Sequence, residues 1–249
     1  MDHAAPMSSP HRFIEAIRAV APAPGHPLDV ERLPDGRTTL VFRALAGGQT
    51  GDLSVAGPRT HALFKHATDV TRAVIVQFKP GWSAPLLGVA ATTLTDRIIP
   101  LADLWGRPGA ELGAELLATA SLSAVIDRLT AALALRARHT REPAADQLAR
   151  HAVRLLEAGE LRVEHVADRL GVTARHLRRA FSESVGIGPK AFARTVRLQH
   201  AVRRAATSSD WARIAADAGY YDQAHLIADF RQLIGLTPGA FRKRPPAAA

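Results

Sequence analysis

The chain has 249 residues, of which 47% are hydrophobic and 22% are charged, and it contains no cysteine. This composition is typical of a folded protein of one or two domains, and it excludes disulfides, thiolate metal sites and cysteine nucleophiles. The formal net charge is +9, and residues 140–249 carry +7 of it, with 18 basic and 11 acidic side chains. That half therefore has either a polyanionic partner or a solvated basic face.

The N-terminus, MDHAAPMSSPHRF, lacks the charged and then apolar pattern of a secretory signal. No apolar run reaches the roughly 18 residues that span a bilayer. Together with the absence of cysteine, these features predict a cytoplasmic protein with no membrane partner.

Residues 1–109 consist of short alternating runs separated by glycine and proline. The runs RTTLVF, GDLSVAG and RAVIVQF predict strands, and Pro34-Asp35-Gly36 predicts a turn. Two helical patterns follow, GAELGAELLATA and SLSAVIDRLTAALALRAR. We therefore predict a β-rich domain over 1–139 with trailing helices at about 110–139, of which the segment 121–138 packs on its own domain or pairs with a second subunit.

No catalytic or metal-binding pattern is visible in this half. The eleven histidines lack the close spacing of a metal site, and Ser54, Ser83 and Ser121 lack a nucleophile-elbow setting. We predict no enzyme activity, no metal and no cofactor. Trp82 and Trp105 are weak candidates for lining a ligand pocket, and burial in the core is the alternative for both.

A switch to charge and proline in RARHTREPA places the boundary between two domains at residues 139 and 140. Beyond it, one pattern occurs twice. Leu177, Phe181, Gly186, Pro189 and Phe192 recur 49 residues later as Leu226, Phe230, Gly235, Pro238 and Phe241. Upstream, Val166, Ala167 and Gly171 recur at an offset of 48, which indicates one inserted residue in the turn of the second copy.

Each copy reads as a short helix, a glycine turn and a second helix, at about 163–185 and 210–234. Gly171 ends the first helix, and Thr173 and Asp222 are predicted to cap the second helix of each copy. Phe192 and Phe241 are predicted to close the two cores. A linking helix at about 189–206, starting with Pro189, joins the copies over roughly 25 Å. The predicted fold class is therefore α+β, with a β-rich N-terminal domain and an all-α domain of two helix-turn-helix modules.

These motifs resemble the DNA-binding domain of AraC-type (AraC/XylS) transcription regulators. The resemblance covers about 100 residues, including VADRLGVTARHLRRAF and IAADAGYYDQAHLIADFRQLIGLTPGAFR. The segments LPDGRTTLVF, FKPGWSAPLLGV and LTDRIIPLADLWG also resemble a domain that precedes this domain in one subclass of the family. The resemblance implies double-stranded DNA as the partner and a regulatory N-terminal domain. It leaves RNA polymerase, a small-molecule effector and a homodimer as possible further partners, and activation or repression open.

Carried over to this sequence, the resemblance implies that the first turns of the two second helices enter adjacent major grooves. The predicted base contacts are Arg175, Arg178, Arg179 and Gln223. The predicted phosphate contacts are Ser182, Arg194, Arg197, His225, Arg231, Arg242 and Lys243. The alternative for the first-module arginines is pairing with Glu183 or covering apolar surface.

The second module departs from this pattern. Among the positions predicted to point outward, Ala224, Ile227 and Ala228 have no polar group, and phosphate repels Asp229. This module therefore either packs on thymine methyls or mainly anchors the protein. Two rival functions stay open, a non-specific architectural DNA-binding protein and an enzyme domain fused to a DNA-binding tail.

Overall fold

The structure, a computed structural model, describes residues 10–23, 25–48, 50–160 and 162–244. Within these residues, strands dominate the first part of the chain and helices the last, which confirms the predicted α+β class. The strands are β1 (Ile14–Val20), β2 (Leu28–Arg32), β3 (Thr39–Leu45), β4 (Gly51–Ala56), β5 (Leu63–Ala67), β6 (Val70–Phe78) and β7 (Ile98–Pro100).

Five of the strands form an antiparallel sheet in the order β1-β6-β3-β4-β7, and β2 pairs with β5 in a separate two-stranded sheet. The three predicted strands are confirmed as β3, β4 and β6. The other four strands were not predicted from sequence. β2, β5 and β7 are only three to five residues long, and β1 lies at a sheet edge where most of its side chains are partly exposed. Short or edge strands carry little period-2 signal.

Four helices cover one face of the large sheet. They are α1 (Ser83–Leu87), α2 (Leu101–Trp105), α3 (Arg107–Ala118) and α4 (Leu122–Arg138). Alternate residues of the sheet, including Leu40, Phe42, Val74 and Val76, form the core beneath them. Val125, Leu129 and Leu133 of α4 are fully buried in this core, so α4 packs on its own domain, as one of the two alternatives predicted.

The rest of the described chain is helical. Its helices are α5 (Ala144–Glu157), α6 (Val163–Arg169), α7 (Ala174–Val185), α8 (Pro189–Ala205), α9 (Trp211–Asp217), α10 (Gln223–Ile234) and α11 (Pro238–Arg242). α5 was not predicted from sequence, although Ala149, Ala152, Val153 and Leu156 lie on one face at helical spacing. A short connection, residues 139–143, joins α4 to α5 at the predicted domain boundary.

A cavity of about 1030 Å³ lies on the other face of the large sheet, between the two sheets, the end of α8 and the region of α11. The large sheet contributes Val41 and Ile75, which pair across β3 and β6, and the small sheet contributes Val30 and Leu63. Because these side chains alternate with the buried ones, the sheet separates the cavity from the helix-covered core.

The N-terminal domain packs directly against the helical domain. Gln199 of α8 donates a hydrogen bond to the carbonyl of Pro34 (2.7 Å), and Arg150 of α5 donates one to the carbonyl of Gly81 (3.1 Å). The Arg150 guanidinium also lies 4.0 Å from the ring centroid of Trp82 and pairs with Glu142. Burial, with the nearby charges of Arg12 and Arg154, lowers the pKa of Arg150 to about 10.

Candidate nucleic-acid interface

The first helix-turn-helix module consists of α6 and α7. Gly171 follows α6 with a φ of +67°, and the Thr173 hydroxyl accepts a hydrogen bond from the backbone N–H of His176 (3.2 Å). Both local predictions are therefore confirmed. Leu177, Phe181 and Val185 are buried at i, i+4 and i+8, which fixes the rotation of α7 and leaves its opposite face in solvent.

The second module repeats this construction with α9 and α10. The Asp222 carboxylate accepts from the backbone N–H of His225 (2.7 Å), as predicted. α9 ends 48 residues after α6, whereas α10 begins 49 residues after α7, so the inserted residue lies in the turn. The second copy therefore preserves both helices at full length.

An aromatic pair closes each module. Phe181 and Phe192 meet edge to face with ring centroids 5.4 Å apart, and their counterparts Phe230 and Phe241 do the same at 5.8 Å. The two modules share α8, because Phe192 and Ala193 belong to the first core and Leu198 and Ala201 to the second. The linking helix is thus part of both modules.

The arginines predicted to contact bases lie on the exposed face of α7. Arg175, Arg178 and Arg179 are all exposed, and Ser182 is half-buried one turn further along. The Arg178 guanidinium pairs with Glu164 of α6 (2.7 Å), and not with Glu183 as the alternative had it. Both members of that pair are more than half exposed, so the pair is weak and the guanidinium stays accessible to another anion.

The predicted contact residues of the second module divide into two groups. Gln223, His225 and Arg231 are exposed on α10, as are Arg242 and Lys243 beyond it. Arg194 and Arg197 of α8 instead lie between the linking helix and the second module. The Arg197 guanidinium is 5.5 Å from the ring centroid of Tyr220, and that of Arg194 binds a carboxylate.

That carboxylate belongs to Asp229, for which the prediction of an outward position on α10 is wrong. Asp229 is only 4% exposed, and its Oδ1 accepts from Nε (2.8 Å) and Nη2 (2.7 Å) of Arg194. Arg194 also donates to Gln232 Oε1 (2.6 Å). Burial, together with the nearby Asp229 charge, raises the pKa of the Tyr220 phenol. Asp229 is therefore a structural residue that ties α10 to α8, and it does not face phosphate.

Two exposed side chains beside the predicted contacts were missed by the sequence analysis. His176 lies between Arg175 and Leu177 at the start of α7, and Tyr221 is 93% exposed just before the cap of α10. The sequence places the adjacent pair Tyr220-Tyr221 in the turn ahead of a cap, and the structure buries Tyr220 and exposes Tyr221. A phenol hydroxyl at this position is a suitable phosphate ligand.

The two tryptophan candidates lie in different surroundings. Trp105 packs against the N-terminal core, and its Nε1–H donates to the carbonyl of Leu86 (3.2 Å). Trp82 borders a second cavity of about 960 Å³ between β1, the segment 79–82 and α5, which is also lined by Arg12, Lys79, Glu142, Arg150 and Glu157. Neither tryptophan lines the larger cavity between the sheets.

Over the described residues, no group of three or more His, Asp or Glu side chains is placed to hold a metal ion. Within the same part of the chain, no helix has both the length and the apolar character needed to cross a membrane.

Two family models match separate segments of the chain. A helix-turn-helix domain model matches residues 166–244, and a model of a domain of unknown function, DUF6597, matches residues 4–100. The HTH-type transcriptional regulator GlxA of Rhizobium meliloti (strain 1021) is 37% identical over 98 residues, which are 36% of this chain and 30% of that protein. The chain therefore aligns with less than a third of that relative's length.

Solved structures that match the chain include the C-terminal domain of AraT, a response regulator from Geobacillus stearothermophilus. It is 22% identical and matches 43% of this chain and 93% of its own, with a TM-score of 0.39. ToxT from Vibrio cholerae, in a structure with a bound unsaturated fatty acid, is 8% identical and matches 92% of this chain and 95% of its own, with a TM-score of 0.43.

Proposed function

We propose that this chain, an AraC-type regulator with a helix-turn-helix domain over residues 166–244 and a separate N-terminal DUF6597 domain, binds duplex DNA sequence-specifically and thereby regulates transcription in the cytoplasm. The observation that carries the proposal is the pair of equivalent modules with exposed second helices on one shared linking helix. Exposed arginines on α7 suit guanine, and Gln223 on α10 suits adenine.

Base reading by α7 is tested by comparing Arg178→Ala with Arg242→Ala on duplexes selected by the intact chain and on scrambled ones. Arg178→Ala should weaken binding to the selected duplex by about 1–3 kcal/mol and relax sequence preference at one position. Arg242→Ala should weaken binding to all sequences alike, because a phosphate contact carries no sequence information.

Glu164→Ala is the matched control for this comparison. It removes the partner of Arg178 while leaving the guanidinium in place, so sequence preference should be retained. Equal losses on selected and scrambled duplexes for Arg178→Ala would exclude a reading role. If the unmodified chain also failed to prefer any sequence, the architectural alternative would replace the proposal.

We also propose that the cavity between the two sheets binds a small-molecule effector with an apolar body and an acidic group. Apolar side chains form nearly half of its lining, 15 of 32 residues, and basic residues outnumber acidic ones by eight to five. Arg43 is already paired with Asp52, and Arg37 with Glu15. Within the described residues, Arg32 forms no ion pair, and its guanidinium donates to the backbone carbonyls of Gly57 (3.1 Å) and Arg37 (3.5 Å). The Asp35 carboxylate is near enough to interact with the Arg32 charge, so an acidic effector would compete with Asp35 for it.

The effector proposal is tested by calorimetric titration of the intact chain with a panel of aliphatic and aromatic carboxylates and their methyl esters. The acids should bind and the esters should bind at least about tenfold more weakly, because charge-assisted hydrogen bonds are the stronger ones. Arg32→Met should abolish this difference, whereas Arg43→Met should preserve it. Equal binding of acids and esters would exclude an acidic effector.

A further inference from the structure

One short stretch of the N-terminal domain touches the second helices of both modules. We call residues 57–62, between β4 and β5, the bridging segment. Pro58 packs on Gly186 at the end of α7, where its Cγ lies 2.6 Å from the position that a Cβ would occupy on that glycine. At the other end of the segment, the backbone N–H of Ala62 donates to the carbonyl of Leu233 in α10 (2.7 Å).

The two contact points lie close to equivalent positions of the internal repeat. Gly186 and Gly235 each cap a second helix in the left-handed conformation, and Leu233 lies two residues before Gly235. Pro58 and Ala62 are four residues apart, so their Cα atoms are separated by at most about 14 Å. The bridging segment therefore limits how far apart the ends of α7 and α10 can lie.

The bridging segment is itself held firmly. The Asp96 carboxylate accepts from the backbone N–H (2.9 Å) and the hydroxyl of Thr60, and the Asp96 N–H donates to the carbonyl of Pro58 (2.9 Å). A Cβ on Gly57 would lie 1.8 Å from the carbonyl oxygen of Leu94, so the two stretches are in direct backbone contact. The neighbouring Thr95 hydroxyl donates to the carbonyl of Gly186 (2.6 Å), which adds a second tie to α7.

Between the modules themselves, the shared helix α8 makes the connection. Among the described residues, no hydrogen bond or ion pair joins 163–187 directly to 210–241. α8 is a single helix of 17 residues, and even a gentle curvature along it changes the relative position of the two modules. The bridging segment connects the two modules a second time, through the N-terminal domain. This second connection opposes a bend in α8.

We infer that the bridging segment sets the separation of the two recognition helices, α7 and α10, and thereby determines the spacing between the two DNA elements that the chain recognises. The spacing preference rests on the proposed function, whereas the fixed separation does not. Residues 57–62 and 95–96 are on this view positioning residues, because they act through the recognition helices without contacting DNA.

The first experiment measures the separation without DNA. The chain contains no cysteine, so Glu183→Cys on α7 and Ala228→Cys on α10, both exposed, can carry paired spin labels in the full chain. The doubly labelled chain with an unmodified bridging segment should give one narrow distribution of distances between the two spin labels. Two glycines inserted between Thr60 and His61 should broaden this distribution, because they make the bridging segment longer and more flexible. The same insertion between Gly47 and Gly48, in the β3–β4 turn, is the control and should leave it narrow.

The second experiment measures spacing preference on duplexes whose two elements, selected by the intact chain, are separated by spacers of different length. The intact chain and the control insertion should lose about tenfold in affinity for each base pair by which the spacer differs from the best one. The insertion at Thr60 should reduce that loss to less than about threefold, because a rigid connection between the modules becomes a flexible one. The affinity of the insertion variant for the duplex with the best spacer should change less than its spacing preference does.

A single substitution tests the same inference in case the insertion prevents folding. Thr95→Val removes the hydroxyl that binds Gly186, whereas Thr93→Val removes one that donates to Ala90 (2.7 Å) within its own turn. Thr95→Val should broaden the distances and the spacing preference, and Thr93→Val should not.

The outcomes separate the two proposals. If distances and spacing preference are unchanged in both the insertion and Thr95→Val, the inference is wrong. If distances broaden but spacing preference does not, its DNA consequence is wrong. If distances broaden and the intact chain prefers no sequence at all, the fixed separation stands and the proposed function fails.

Discussion

Asp229 shows how a single charge can be assigned to the wrong face of a helix. It lies at i+3 from Leu226 and next to Phe230, so its position on α10 is on the buried side. Charge alone argues against burial, because an unpaired carboxylate is expensive to desolvate. The ion pair with Arg194 offsets that cost of desolvation. Arg194 lies in α8, 35 residues before Asp229 in the sequence.

This assignment predicts a large effect of removing one partner. Asp229→Ala should lower the free energy of unfolding by about 3 kcal/mol or more, because Arg194 is left partly buried without its partner. Asp217→Ala is the control, since it breaks an exposed contact with Arg204 at 3.7 Å and should cost less than about 1 kcal/mol. Denaturant unfolding of both variants gives the comparison. A loss for Asp229→Ala no greater than the control's would show that the buried pair is not stabilising.

At the scale of elements, α5 is the longest of the helices that were not predicted from sequence, and it contacts the recognition helix of the first module. Its Asp146 is 6% exposed and accepts from the hydroxyl of Ser184 in α7. Burial, with a contribution from the Glu183 charge, raises the pKa of the Asp146 carboxyl, and the Ser184 hydrogen bond opposes this change.

A raised pKa means that the folded chain binds this proton more tightly than the unfolded chain. The stability contributed by Asp146 is therefore fully present at a pH below its unfolded pKa and is lost as pH rises through its folded pKa. Asp146→Asn keeps an acceptor for Ser184 and cannot ionise, so the stability of the variant relative to the unmodified chain should increase from pH 4 to pH 7. Chemical denaturation at both pH values tests this.

The exposed Asp127 of α4 provides the control for that pH series. Asp127→Asn should show a smaller change in relative stability over the same range. A relative stability of Asp146→Asn that stays constant or falls with rising pH would contradict the direction of the shift.

At the scale of the whole molecule, a glycine in the N-terminal domain packs on the core of the first module. Gly36 has a φ of +66°, and a Cβ there would lie 2.6 Å from the Phe192 ring. Because Phe192 is only 1% exposed and closes the module, the ring cannot swing away freely. The interface between the two domains is therefore closely fitted at this point.

Gly36→Ala should consequently destabilise the chain more than its backbone conformation alone requires. The control is Gly48→Ala, which has a similar φ of +71° and nothing within 4 Å of the added Cβ. The extra cost for Gly36→Ala should be about 1–3 kcal/mol, the range for overpacking a core, and Phe192→Leu should recover part of it in the double variant. Equal melting temperatures for the two glycine variants would show that the domains are not in close contact at Gly36.

The sequence by itself determined the parts of this protein that depend on neighbours along the chain. Apolar residues at i, i+4 and i+8 set the rotation of α7, Thr173 and Asp222 capped their helices, and the repeat offset located the inserted residue in a turn. The aromatic pairs of the two modules followed from the same spacing.

Only the tertiary structure decided the features that join distant segments. The Arg194–Asp229 pair, the cavity between the sheets and the contacts of Pro58 and Ala62 with both recognition helices connect residues far apart in sequence. No periodicity records such contacts, because periodicity reports which way a side chain points and not which surface it meets. The identity of that surface depends on how the two domains pack together.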